Sequence, residues 1–345
     1  MSAISAPYST APRSSSVFGE EGPIFSVRRP RDSALVAALY VLLVLFWGST
    51  FLWIEIAIAQ TSPWTIIGTR LVTGAIVVVV VTRMLSPNIR AAHTPAKLRP
   101  WLGPGIVLAL LAAVFPGILI SIAQQSIDSG TASIVNATAP IWTALLTWVV
   151  IGASAGRLSA FQVSGLVLGI LGVALLVGEA PSAGHVKGEL LVVFVALVYS
   201  SGGVYAQRTF SGAPPLAAAL MASVIGAVIA APLGIAGWVA DPPDLGAVGA
   251  MIALGAFSTG LAFIIYFELI RRLGATRTLT VTYLQPIVAI VLGAVLLNEE
   301  LRLLNFVGLA LILLGVALVN GQIRPRGRRS RSEVATPRDR LSDPP

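Results

Sequence analysis

One segment of this sequence is written twice. Residues 165–178 and 308–321 begin 143 positions apart and are identical at nine of fourteen positions. A proline stands inside the apolar stretch before each copy, Pro140 in the first half of the chain and Pro286 in the second. Because most of the residues between them also form long apolar runs, the duplication predicts a membrane protein built from two related modules. Such internal repeats are common among secondary transporters.

The composition excludes an ordinary soluble fold. Hydrophobic residues make up 56% of the chain and charged residues only 11%, whereas about a quarter of a typical soluble protein is charged. The net charge of +8 does not indicate a nucleic-acid partner, because the basic residues avoid the apolar runs. The chain has no cysteine, and His93 and His185 stand in separate loops. We therefore predict no metal site.

Ten apolar runs are long enough to cross a bilayer. A hydrocarbon core of about 30 Å needs about 20 helical residues, and short polar or proline-containing breaks separate runs of this length. We therefore predict an all-α polytopic membrane protein with ten transmembrane helices. We call them spans one to ten: 35–58, 63–84, 102–123, 130–151, 159–178, 188–209, 214–239, 246–270, 276–297 and 302–321.

Polar tails flank the spans. Residues 1–34 are rich in Ser, Pro and Ala, residues 322–345 are rich in Arg and Pro, and neither tail contains an apolar core. We expect both tails to be disordered and cytoplasmic. The chain between them divides into a first repeat, 35–180, and a second repeat, 188–321.

The basic residues determine the predicted orientation. With the N-terminus in the cytoplasm, 20 of the 23 lysines and arginines fall in cytoplasmic segments. Lys187 and Arg302 fall on the outer side, and Arg70 lies within span two. Since basic loops stay in the cytoplasm, both termini are predicted to be cytoplasmic. Five spans per repeat is an odd number, so the second repeat must be inverted relative to the first, with a substrate site between them near the membrane midplane.

The second half of the chain resembles a known transporter module. It contains RRLGATR at 271–277, YLQP at 283–286, NEEL at 298–301, and then Gly308. The first half has matching features: Trp-Gly-Ser at 47–49, a proline followed by an arginine in span two, the proline of span four, and Arg-Leu-Ser at 157–159. This pattern is similar to the EamA module of the drug/metabolite transporter (DMT) superfamily.

The resemblance covers residues 35–321 and implies two five-helix EamA repeats of inverted topology. It implies a basket in which spans one, three, four, six, eight and nine surround a central cavity, and no soluble cofactor. The implied cargo is a small molecule such as an amino acid, a nucleobase, a sugar-like metabolite or a xenobiotic, usually moved outward. One departure is visible: the turn at 152–157 lacks the glutamate that the pattern places there, and Glu299 is present in the second repeat.

The prolines of spans four and nine predict a site at mid-membrane. A proline in a helix leaves the carbonyl four residues earlier without its hydrogen bond, which is tolerated where that carbonyl faces a watery cavity. Polar neighbours of the prolines and aromatic side chains that could stack on a cargo complete the predicted lining. Interhelical hydrogen bonding and plain packing are the alternative explanation. The predicted residues are Trp47, Asn136, Pro140, Tyr199, Tyr266, Thr282, Tyr283, Gln285 and Pro286.

Two further groups of polar residues are candidates. Glu55 in span one and Arg70 in span two lie at similar depths, so we expect an ion pair with either a structural role or a role in substrate or proton coupling. Ser121, Gln125 and Asp128 form one polar face at the outer end of span three. They predict either an outer vestibule or a solvated helix end.

The sequence leaves two questions open. The glycines at 165 and 169 permit close helix packing, either within the basket or between protomers, so the oligomeric state is not predicted. The leading function is transport, with a small-molecule substrate and the lipid bilayer as partners. The alternatives are a non-transporting membrane partner or sensor and a membrane-embedded transferase, although no acid/base or metal constellation supports an enzyme.

Overall fold

The computed structural model describes residues 32–84, 94–151, 159–178, 182–210, 213, 216–273, 278, 280–300 and 302–319. All regular elements among these residues are helical. Seven helices are long and apolar enough to cross a membrane: Ala34–Ile58, Pro63–Met84, Ala96–Ala123, Ser129–Val149, Ala183–Thr209, Ala217–Ala240 and Leu245–Tyr266. Three apolar helices are shorter: Ala160–Leu176, Val281–Leu296 and Leu303–Val319. Each helix overlaps a predicted span, which confirms an all-α membrane protein, while ten crossings stay a prediction.

Three spans are broken near their middle. Span one consists of Asp32–Gly48 and Thr50–Ile58, and span four of Ser129–Asn136 and Ala139–Ile151. In span nine a short 3₁₀ helix, Thr280–Tyr283, precedes the α-helix Gln285–Leu296. Pro140 and Pro286 each stand at the second position of the helix that follows the break. A proline is well tolerated there, because the N–H groups of a first helical turn have no partner within the helix.

Spans three and eight each contain a π-helical segment. In span three it is Leu110–Val114, between the α-helices Leu102–Ala109 and Phe115–Ala123. In span eight it is Leu254–Leu261, between Leu245–Ala253 and Ala262–Leu273. The two segments start 144 residues apart, which is close to the repeat period seen in the sequence. Because π-helical turns are rare and concentrate at functional sites, these two positions are of functional interest.

The remaining helices are continuous or short. Span two is Pro63–Met84, span five Ala160–Gly178, span six Ala183–Thr209, span seven Ala217–Ala240 and span ten Leu303–Val319. A short helix, Pro95–Leu98, and a 3₁₀ turn, Arg99–Trp101, lead into span three. The largest apolar cluster contains side chains from every span except span seven, so the core lies among these helices.

The two copies of the repeated segment pack against each other through glycines. A Cβ atom on Gly165 would lie 2.6 Å from the carbonyl oxygen of Gly315, and a Cβ on Gly172 would lie 2.9 Å from that of Gly308. Spans five and ten are therefore antiparallel and in backbone contact, the close approach that small residues permit in membranes. The glycines of span five therefore pack against another helix of the same chain.

Candidate functional site

A cavity of about 490 Å³ opens at one end of the helix bundle. This outer cavity, as we call it, has the size of a small-molecule site. It lies where span one ends, span eight begins and span nine ends. Among the described residues, its wall contains three carboxylates and no basic side chain: Glu55, Ile56, Ala59, Gln60, Asp244, Gly246, Ala247, Leu297 and Glu299.

Each carboxylate of the outer cavity has a neutral hydrogen-bond donor. Glu55 Oε2 accepts a 2.9 Å hydrogen bond from Gln124 Nε2 of span three. Asp244 is the N-cap of span eight, and its Oδ1 accepts from the backbone N–H of Ala247 at 2.7 Å. Because no cation neutralises these groups within the described residues, the cavity wall carries negative charge.

Glu299 connects the two halves of the chain at this end. Its two carboxylate oxygens accept hydrogen bonds from the backbone N–H groups of Ser129 at 3.0 Å and Gly130 at 3.2 Å. These N–H groups belong to the first turn of span four, where the helix dipole and unpaired donors favour an anion. Asn298 has a φ of 55°, a left-handed conformation that asparagine tolerates. This turn lets the Glu299 N–H bond to the Gly293 carbonyl at 3.1 Å and directs the residue back toward span four.

The predicted outer vestibule residues have local roles. Ser121 is buried and donates its hydroxyl hydrogen to the carbonyl oxygen of Gly117 in its own helix. Asp128 is the N-cap of span four and accepts from the Thr131 N–H at 2.6 Å. Gln125 is exposed. None of the three lines the outer cavity, so among the predicted site residues only Glu55 belongs to its wall as the structure describes it.

The predicted ion pair between Glu55 and Arg70 is not formed. Glu55 bonds to Gln124, whereas Arg70 Nε donates to the hydroxyl oxygen of Thr259 in span eight at 3.0 Å. Their depths in the two helices are similar, but an ion pair also requires that the two side chains face each other. Glu55 faces span three and Arg70 faces the π-helical segment of span eight, so each has a different partner.

Spans one and nine meet at the breaks in both helices. A Cβ on Gly48 would lie 2.5 Å from Val288 Cβ and 3.1 Å from the carbonyl oxygen of Gln285. Only glycine fits between these helices, which gives the Trp-Gly-Ser triplet a structural reason. Trp47 packs against Tyr266 of span eight, with ring centroids 5.1 Å apart and planes tilted by 45°. Predicted residues from spans one, eight and nine therefore lie near one another.

Spans four and six meet at the other break. The hydroxyl of Ser200 donates to the Ala139 carbonyl oxygen at 2.7 Å, one residue before Pro140. The side-chain oxygen of Asn136, at the end of the preceding helix, is buried and has no hydrogen-bond partner. A backbone carbonyl and a side-chain oxygen thus lie close together at this break, and the carbonyl that Pro140 would leave free toward a cavity stays a prediction.

The other predicted lining residues divide between two apolar clusters. Tyr199 and Tyr283 pack against the largest cluster, whereas Trp47 and Tyr266 pack against a second cluster formed by spans one, eight and nine. Pro286 is buried, and Thr282 and Gln285 are half-buried. A substrate contact for these residues stays a prediction.

Three residues of the site were not predicted from the sequence. Thr259 is the hydrogen-bond partner of Arg70, Gln124 is that of Glu55, and Asp244 lines the outer cavity. Asp244 follows two prolines and precedes an apolar run, so the helix N-cap rule could have identified it. No sequence signal marks Thr259, because its role depends on a contact 189 residues away in the chain.

The sequence profile of the EamA-like transporter family matches the chain twice, at residues 34–178 and 186–321. The chain is 27% identical over 286 residues to an uncharacterized inner membrane transporter of Escherichia coli, YedA, covering 83% of this chain and 90% of the relative. It is 28% identical over 226 residues to a probable terminal-alkyne amino-acid exporter of Streptantibioticus cattleyicolor, covering 64% of this chain and 72% of that protein.

The fold is also similar to that of a solved crystal structure. The two superpose with a TM-score of 0.58 at 21% sequence identity, and the match covers 84% of this chain and 99% of the other. At this identity the likeness concerns the fold. Family and relatives are named as transporters rather than as enzymes.

Proposed function

Because this chain belongs to the EamA-like transporter family, we propose that it is a secondary transporter that moves a small metabolite outward across the cytoplasmic membrane by alternating access. The proposed cargo is an amino acid, a nucleobase or a xenobiotic. The name of the Streptantibioticus relative, a probable amino-acid exporter, supports the first of these.

The reciprocal glycine contact of spans five and ten carries this proposal. Gly165 and Gly172 occupy the same places in the first repeat as Gly308 and Gly315 in the second. Gly165 contacts Gly315, and Gly172 contacts Gly308. Each copy therefore contacts the other through the same two positions, and the two helices run in opposite directions. This is the contact that a twofold axis in the membrane plane produces, and it supports two inverted repeats.

The breaks in spans one, four and nine support a site between the repeats. Broken helices expose backbone groups that are costly in lipid and useful in a cavity that binds a polar cargo. In the proposed topology, with ten spans and both termini in the cytoplasm, the outer cavity opens away from the cytoplasm. Its carboxylates then lie on the exit side of the path.

Flux measurements test this proposal. Inverted membrane vesicles from cells that express the chain are incubated with pooled isotope-labelled metabolites, and accumulated compounds are identified by mass spectrometry. Vesicles from cells with an empty vector are the control. We expect accumulation of one compound or a few related compounds. If vesicles with confirmed expression accumulate no more than the control, transport is contradicted. The alternative, a non-transporting membrane partner or sensor, would then be favoured.

A further inference from the structure

Arg70 is a buried charge in the membrane-spanning part of the fold. It lies seven residues after Pro63, about 10 Å along the helix at 1.5 Å per residue, and its side chain is only 8% exposed. An arginine inside a transmembrane helix is costly unless it is paired or serves the transported molecule. The identity of its partner therefore decides its role.

Arg70 has a neutral partner. Its Nε donates to Thr259 Oγ1 at 3.0 Å, and the Thr259 hydroxyl donates in turn to the Leu254 carbonyl oxygen at 3.2 Å. The Nη1 nitrogen of Arg70 is buried and has no hydrogen-bond partner. No carboxylate in the described part of the chain forms an ion pair with it. The guanidinium charge is therefore uncompensated.

Three of the acidic residues toward the same end of the bundle have other partners, and a fourth, Glu189, has a buried Oε2 without a hydrogen-bond partner and forms no ion pair with Arg70. Glu55 accepts from Gln124, Asp128 caps span four through the Thr131 N–H, and Glu299 accepts from two further N–H groups of that turn. These contacts hold the carboxylates away from Arg70. Within the described residues Arg70 is thus a buried cation without an ion-pair partner, so no ion pair offsets the cost of its desolvation.

Arg70 belongs to span two, which is outside the predicted basket, but its guanidinium reaches two spans that belong to the basket, spans three and eight. The side chain lies between span three and span eight, the two spans with π-helical segments. Thr259 belongs to the segment Leu254–Leu261, and a Cβ on Gly117, three residues after the segment Leu110–Val114, would lie 3.8 Å from Arg70 Nη1. The absence of a side chain at Gly117 leaves this edge of the guanidinium facing span three.

We propose that Arg70 binds a carboxylate group of the cargo, which makes the cargo a carboxylate-bearing small molecule. This inference rests on the proposed transport function. Thr259 fixes the Nε edge, and the two Nη nitrogens remain to bind the carboxylate in the bidentate geometry that arginine favours. Because Nη1 is buried, the carboxylate reaches it when spans three and eight separate. Alternating access supplies that conformation.

Ligand-dependent thermal stability of the purified full-length protein tests the proposal. The probes are matched pairs in which each carboxylate is replaced by an amide: L-leucine and L-leucinamide, L-phenylalanine and L-phenylalaninamide, and succinate and succinamide. A ligand that binds the folded state raises the melting midpoint. We expect at least one carboxylate, and not its amide, to raise the midpoint of the wild-type protein.

Three variants assign the effect to Arg70. Arg70→Gln should weaken the apparent affinity for that carboxylate by about tenfold or more, because a charged hydrogen bond is lost. Arg70→Lys keeps the charge without the planar fork and should bind with intermediate affinity. Arg83→Gln, an exposed position in the same helix, is the matched control and should bind like the wild type. If Arg70→Gln does not fold, two measurements still test whether Arg70 binds a carboxylate. They are the comparison of each carboxylate with its amide and the affinity of the Arg70→Lys variant.

Several outcomes would overturn the proposal. They are equal stabilisation of the wild type by amide and carboxylate, no stabilisation by any carboxylate probe, and full binding by Arg70→Gln. Vesicle flux of a cargo without an anionic group would overturn the role of Arg70 and leave transport in place. Absence of all flux would instead contradict the transport function itself.

Discussion

Gly315→Ala should weaken the contact between spans five and ten. The added Cβ would lie 2.6 Å from the Gly165 carbonyl oxygen and 2.8 Å from the Gly169 backbone nitrogen. These are backbone atoms that cannot rotate away, so the helices must separate by about 0.8 Å to restore ordinary contact at 3.4 Å. Overpacking of this kind costs about 1–3 kcal/mol.

Gly203→Ala is the matched control for this change. Gly203 lies in the helix Ala183–Thr209, and a Cβ there would meet no atom within 4 Å. Both substitutions gain the same helix propensity, about 1 kcal/mol, so the difference between the variants isolates the packing cost. The melting midpoint of the purified protein in detergent should be about 2–6 °C lower for Gly315→Ala than for Gly203→Ala. Equal midpoints, or a more stable Gly315→Ala protein, would refute the proposed contact.

Three further predictions concern orientation, the break in span nine and the contact between halves. A phosphatase fused after Arg324 should be inactive and a fluorescent protein there bright, because the proposed topology places the C-terminus in the cytoplasm; an active phosphatase would mean that the spans are miscounted. Pro286→Ala should restore a backbone hydrogen bond to Thr282 and make span nine continuous, so vesicle flux should fall more than expression does. Unchanged flux would show that the break is not needed for transport. Glu299→Gln should lower the free energy of unfolding by about 1–3 kcal/mol, because an NH₂ group replaces one of the two oxygens that accept from the N–H groups of span four. Glu300→Gln, at the exposed neighbouring position, is the control, and equal melting midpoints for the two variants would contradict this prediction.

The sequence predicted features that depend on local chemistry. The apolar runs located the helices, and Pro140 and Pro286 located two of the three breaks, because a proline affects the backbone of its own helix. The glycines at 165 and 169 indicated a close helix contact. The partner became evident only from the structure, because small residues permit close approach to many surfaces.

Features that depend on which way a side chain faces were not predictable. Glu55 and Arg70 have similar depths, but depth along a helix does not determine the face on which a side chain lies. The π-helical segments of spans three and eight have no proline or charge to mark them. The bond from Glu299 to the Ser129 N–H joins residues 170 positions apart and requires the left-handed turn at Asn298.

Alternating access can be measured directly at the break in span four, because the chain has no native cysteine. Asn136→Cys places a single thiol at that break, and a membrane-impermeant maleimide is added to right-side-out vesicles and, separately, to inverted vesicles. Ser182→Cys, at an exposed position before span six, is the control and should react only in right-side-out vesicles. We predict that the thiol at position 136 reacts in both preparations, since the site opens to each side in turn. Reaction in only one preparation, or in neither, would contradict alternating access.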